Sequence, residues 1–251
     1  MRTSNPFLTD TAIGKARREM AADSALMTVG GTVNKILILL LVVAGSATLS
    51  WNYATSGSFV ASGKAIPLLT AGGILAFVLG LVVSFKPNTA RVLAVPFALC
   101  EGLVLGAVSA IYAVAVYPEI VMHAVMLTIG TAAAMFTLWY TGVVVVTQRM
   151  RSIVMSAFGA IFLVYLASFI LGFFGIQIPM IHGSGPIGIG FSVLVVVICS
   201  FMLLIDFDMI ESMSERGAPK SMEWFGAFAI LITLVWLYME FLRLLSKLRD
   251  D

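Results

Sequence analysis

A polar lead of 35 residues gives way to apolar runs separated by short polar breaks. Each run is long enough to cross about 30 Å of hydrocarbon as a helix. The pattern predicts helices over 36–53, 65–85, 91–116, 119–146, 152–174, 188–212 and 224–246. Lys86 and Pro87 stop the second. The connections are short except "GIQIPMIHGSGPIGIG" between the fifth and sixth runs, whose glycines and prolines exclude a regular helix. In the lead, Ser4 to Pro6 predicts a turn and Ala12 to Ala22 a short helix. The lead is too long for the charged region of a cleaved signal peptide. The expected organisation is a polar cytoplasmic amino-terminal tail over 1–35, a transmembrane domain over 36–246 and a short polar tail over 247–251. No soluble domain, internal repeat or low-complexity segment stands out.

Composition strengthens this picture. The chain is 60% hydrophobic and 11% charged, with a mean hydropathy of +1.04. Soluble chains carry about 25% charged residues. The fold class is therefore an all-α polytopic membrane protein with seven transmembrane helices, its partner is the lipid bilayer, and nucleic acid is not expected. Cys100 and Cys199 lie in apolar runs and read as buried small hydrophobes. Gly72, Ala76 and Gly80 recur at four-residue spacing on the second helix, as do Gly102 and Gly106 on the third. Small residues so placed let helix backbones approach closely in lipid, which predicts a compact bundle.

Lys and Arg give the orientation. With the amino terminus inside, the inner segments hold Arg2, Lys15, Arg17, Arg18, Lys35, Lys86, Arg91, Arg149, Arg151, Arg216 and Lys220. The outer segments hold Lys64, Arg243, Lys247 and Arg249. Eleven against four is a positive-inside pattern, from which only the carboxyl-terminal group dissents.

The candidate chemistry lies in the acids that this pattern buries. A carboxylate at a helix centre costs roughly 3 kcal/mol on insertion scales, and such groups mark ion or proton pathways by default. Glu101, Asp206 and Glu240 are intramembrane, and Asp208 lies near the inner end of the sixth helix. Glu101 sits ten residues into the third helix, close to the midplane, and reads as a proton or cation ligand. Asp206 and Asp208 cannot share a face, because two residues turn a helix by roughly 200°. Asp206 aligns with Met202 and Ile210 on the stripe that continues into the membrane. Asp208 aligns with Glu211 and Glu215 toward water, as a solvated inner end. Glu240 needs a partner, and Arg243 at i+3 is the base within one turn. His123 and His182 read as surface histidines. Neither has a Cys, Asp or Glu at metal spacing.

Asp206 within "LLIDFDMI", followed by Leu237, Tyr238, Met239 and Glu240 within "LVWLYMEFLRLL", resembles the closing helices of the Bax-inhibitor/YccA family, the transmembrane Bax inhibitor motif proteins. Glu240 stands where that family's pattern has Asp. The seven-helix count, the long amino-terminal tail and "EGLVLGAVS" from Glu101 resemble a bacterial branch. The resemblance implies a seven-helix bundle with the last helix in the middle. It also implies a pH-sensitive calcium leak in the bacterial plasma membrane, with Asp206 and Glu240 as a proton-sharing pair and transient calcium ligands. Glu101, Asp208 and Arg243 would be supporting polar groups, and no resident cofactor or enzyme activity is expected. A chain that acts instead on a membrane quality-control protease is the alternative, which uses the polar tail and makes no demand on the acids.

For Asp206 and Glu240 to meet, the chain must absorb a depth mismatch. Straight helices joined near Gly217 to Lys220 leave the two acids about 15 Å apart. They meet only if "KSMEWFGA" over 220–227 lies in the headgroups as a short interfacial helix. A pair in contact would behave as one unit, so that a double substitution is no worse than either single one. Two other readings fail on motif. An intramembrane aspartyl protease carries Tyr-Asp and Gly-x-Gly-Asp, which are absent. A retinal protein needs a lysine within its last helix, where Lys247 comes too late.

Overall fold

The computed structural model describes residues 25–56, 61–174, 183 and 185–249. Among them run seven helices: α1 Val29–Thr55, α2 Ala61–Phe85, α3 Ala90–Ala115, α4 Ile120–Tyr140, α5 Gln148–Phe173, α6 Pro186–Glu215 and α7 Met222–Arg249. A 3-10 turn, Pro87–Thr89, links α2 to α3. All seven helices are long and apolar enough to cross a membrane. The chain is a multi-pass membrane protein of the expected all-α class. The expected turn and helix within residues 1–24 lie outside the described residues.

Several helix ends depart from the expected positions: α2 and α5 each begin four residues early, at Ala61 and Gln148, and three further departures have local causes. α1 begins at Val29 rather than 36, within the polar "GGTVNK", because Thr28 caps it. The Thr28 hydroxyl accepts from the Gly31 amide at 3.0 Å and satisfies one of the helix's orphan donors. α4 stops at Tyr140 rather than 146, although valines follow. Gly142 there adopts φ 69, a left-handed turn that hydropathy does not register. α7 runs without interruption from Met222, so the expected interfacial helix over 220–227 is not a separate element. Residues 222–227 of that segment are the first one and a half turns of α7.

α7 is the most buried helix and stands in the middle of the bundle, against α1, α3, α4 and α6. Phe228, Leu231, Leu237, Phe241 and Leu242 on it are buried. It also reaches α5, where Trp236 meets Phe158 at 4.5 Å between ring centroids. α3 is wedged between α1 and α2 by the small residues seen in the sequence. A Cβ on Gly102 would stand 2.5 Å from the Val43 carbonyl, and one on Gly106 would run into the Ala47 carbonyl. Both are backbone of α1, which cannot swing aside, so these glycines set the distance between the two helices. Ala76 is buried and Gly80 faces the Phe97 ring of α3. Leu41, Ile74, Phe77 and Leu163 point outward, as suits helices whose solvent is hydrocarbon.

The α6–α7 turn closes through Gly217 at φ 70 and is tied to the chain entering α1. Met27 N–H donates to the Ala218 carbonyl and Lys220 N–H to the Ala25 carbonyl, each at 2.8 Å. The Ser214 hydroxyl donates to the Met27 carbonyl at 3.1 Å.

Candidate functional site

α6 carries Asp206 into the interior, between Leu203 and Ile210, with 3% of it exposed. Its carboxylate accepts from the Thr233 hydroxyl of α7 at 2.6 Å. Thr233 can also donate to the Ala229 carbonyl one turn back, at 3.3 Å. The pair therefore fixes the register of α6 against α7.

Glu240 is fully buried on α7. Its Oε2 accepts from Arg243 Nη1 at 2.6 Å and from the Tyr165 hydroxyl of α5 at 2.9 Å. Arg243 also donates to that hydroxyl, and its guanidinium lies 4.7 Å from the centre of the Tyr165 ring. The three side chains form a closed triangle in which Tyr165 accepts from the arginine and donates to the carboxylate. Glu240 Oε1 is buried and has no hydrogen-bond partner among the described residues. An ionised carboxylate offers about four acceptor sites. Here both donors crowd onto one oxygen.

The expected contact between Asp206 and Glu240 is not made. Asp206 is level with Thr233, and Glu240 stands seven residues further along α7. That is two turns, or about 10 Å of rise. The reason is the hairpin itself: with α7 straight from Met222, no residues are taken up outside the bundle, and the depth mismatch stands. A single calcium ion, with ligands at 2.3–2.6 Å, cannot bridge carboxylates held at these two levels. No group of three or more His, Cys, Asp or Glu side chains that could hold a metal occurs among the described residues.

The supporting residues separate in the same way. Glu101 is half-buried on α3, and no hydrogen bond or ion pair joins it to Asp206 or Glu240 among the described residues. Asp208 faces away from Asp206 and pairs with Arg151 of α5, both partly exposed. With Gln148, Glu211, Glu215 and Arg216 they line a polar cavity of about 320 Å³ at the basic end of the bundle, in keeping with a solvated helix end. Arg243 is the partner of Glu240, as the i+3 spacing expects. His123 Nδ1 lies 3.3 Å from the exposed Tyr117 hydroxyl. His182 lies outside the described residues.

Three groups escaped the sequence reading. Tyr165 completes the Glu240 triangle from 75 residues away. Lys247, expected in a polar tail, is buried in the last turns of α7 and donates to the Gly188 carbonyl at 2.9 Å and the Ser192 hydroxyl at 3.0 Å. Glu223, expected at the headgroups, is 1% exposed and accepts from the Thr28 amide at 3.0 Å and hydroxyl at 3.1 Å while paired with Lys35. The carboxyl-terminal basic residues that dissent from the positive-inside count thus have partners in the bundle. Arg243 holds Glu240, Lys247 holds α6, and Arg249 lies 4.7 Å from the Tyr117 ring centre.

Comparison with known proteins agrees with this architecture. The family model described as Bax inhibitor 1 like matches residues 5–250, and the chain belongs to that family. No curated protein and no solved structure matches it.

Proposed function

We propose that this member of the Bax inhibitor 1 like family is a pH-responsive cation leak, with calcium as the ion and the carboxylates of Asp206 and Glu240 as two separate stations beside α7. The observation that supports it best is the Glu240 carboxylate, buried in the centre of the bundle with an unpartnered Oε1. A buried acceptor without a donor calls for an explanation, and an intramembrane acid is by default part of a pathway. Oε1 is where a passing cation would bind, in competition with Arg243 for the carboxylate. Asp206 is the second station, nearer the polar cavity of Asp208 and Arg151. A cation needs ionised oxygens. Protonation therefore opposes conduction, and flux should rise as pH rises.

The test is calcium entry into liposomes containing the purified protein, followed over about pH 5–8, where buried functional acids titrate. Flux that increases with pH and exceeds that of empty liposomes is expected. Liposomes as tight as protein-free ones at every pH would sink the leak and leave action on a membrane protease as the better reading.

The same proposal places the end carrying Lys35, Lys86, Arg91, Arg149 and Arg151 in the cytoplasm, by the excess of basic residues there. The resemblance of "EGLVLGAVS" to bacterial members supports a bacterial inner membrane. A reporter fused ahead of Lys35 should read cytoplasmic. An external reading reverses the orientation.

A further inference from the structure

The central helix is not enclosed on every side. α1 and α4 do not pack against each other, and between them a cleft of about 790 Å³ opens laterally, with α7 as its floor at Leu231, Leu234, Val235 and Tyr238. We infer that this cleft is the seat of the acyl chains of a membrane lipid, which take the place of a helix contact between α1 and α4 and pack directly on α7.

Three observations select that occupant. The first is length. Along α1 the lining extends from Val29 to Trp51, 22 residues and about 33 Å of helix, which matches the hydrocarbon thickness of about 30 Å. Trp51 lies toward one end of the cleft and Trp139 toward the other, as befits tryptophans at the two membrane interfaces. The second is width. Spread over that length, the space open to the centre of a water-sized sphere averages about 24 Å², a channel about 8 Å across once the sphere's own radius is added. A helix with its side chains is about 10–12 Å across. The cleft is therefore narrower than a transmembrane helix of a partner or of a second copy, and takes slender hydrocarbon chains.

The third observation is polarity. The hydroxyls among the lining residues are satisfied within the protein. Thr32, Thr48 and Thr128 donate to the carbonyls four residues back, at 3.0, 2.8 and 2.7 Å. Ser109 and Tyr238 bond each other at 2.6 Å. Little polar capacity remains to order water or strip an ion of its shell, and an apolar chain has no unmet group to desolvate. The cleft is thus distinct from the proposed ion stations, though it shares α7 with them.

The experiment uses the wild-type protein in lipid discs containing a phospholipid with a photoactivatable diazirine in its acyl chain. After irradiation, adducts are mapped by peptide mass spectrometry. Adducts on Leu234 or Val235 of α7 are expected beside those on outward residues such as Leu75 of α2, which is 51% exposed. The double variant Ala44→Phe, Ala132→Phe fills the cleft from both walls and should lose the α7 adducts while keeping those on α2. Wild-type adducts confined to outward-facing residues would overturn the inference. So would α7 adducts that survive in the filled variant. Because no flux is read, failure here leaves the leak proposal untouched.

Discussion

Liposomes carrying the Glu240→Gln protein are expected to conduct cations about tenfold less at neutral pH. A charge-assisted hydrogen bond is worth roughly 1.5–3 kcal/mol, and each 1.4 kcal/mol is a factor of ten. Glutamine keeps the length and one acceptor oxygen, so Tyr165 retains its partner, but it offers no negative charge to a cation. It also leaves Arg243 without its counter-ion, beside the tyrosine ring that it already faces. Asp206→Asn should flatten the pH response of flux, and should fold, since the amide oxygen can still accept from Thr233. The carboxylates stand two turns apart with no shared hydrogen-bond partner, so their effects on the logarithm of flux should add, as for separated sites. A contacting pair would behave as one unit. The double variant therefore decides between two stations and one pair. Asp208→Asn is the control: its ion pair with Arg151 is 30–40% exposed, and such pairs contribute about 0–1 kcal/mol. If Glu240→Gln conducts as wild type does, its triangle with Tyr165 and Arg243 is structural.

What the sequence made legible and what it concealed have physical causes. Hydropathy shows every span, because a helix in hydrocarbon must be apolar along its whole length. Glycine spacing shows which faces touch, because only there do the backbones of α1 and α3 come within reach of a missing Cβ. Neither signal shows where a helix begins when its cap is tertiary. α1 extends seven residues into polar sequence on the strength of Thr28 and of Glu223, almost two hundred residues away. The assignment of partners is hidden for a similar reason. Arg243 is legible beside Glu240 at i+3, whereas Tyr165 lies on a different helix in a run with no distinguishing pattern. Lys247 reads as a tail because it follows the last apolar residues, yet its ammonium reaches the start of α6. The expected meeting of Asp206 and Glu240 rests on resemblance against the depth arithmetic. The straight hairpin settles the matter in favour of the arithmetic.

Glu223→Ala is expected to be the most destabilising single substitution at the basic end of the bundle, by about 3 kcal/mol, the lower range for breaking a buried ion pair. Glu223 stands on the amino terminus of α1, where a negative charge meets the positive end of the helix dipole. Its carboxylate satisfies the Thr28 amide and hydroxyl and pairs with Lys35, which is only 16% exposed. Gly31 is bare so that the carboxylate can sit there, since a Cβ would collide with it. Alanine removes all of this at once and leaves Lys35 near the Trp224 ring, 5.5 Å from its centre, with no carboxylate. For a chain of this size about 3 kcal/mol corresponds to a fall of roughly 6–12 °C in melting temperature, readable by thermal unfolding in detergent. Glu223→Gln should lose about half as much, because the amide oxygen still accepts from Thr28. The double variant Lys35→Met, Glu223→Met should melt higher than Glu223→Ala, since it removes both charges together and fills their space. The loss should also loosen the pairing of Met27 and Ala25 with the α6–α7 turn, seen as faster proteolytic cleavage ahead of Val29. A Glu223→Ala protein that melts within a degree of wild type would mean that the caps and the α6–α7 turn hold α1 without the ion pair.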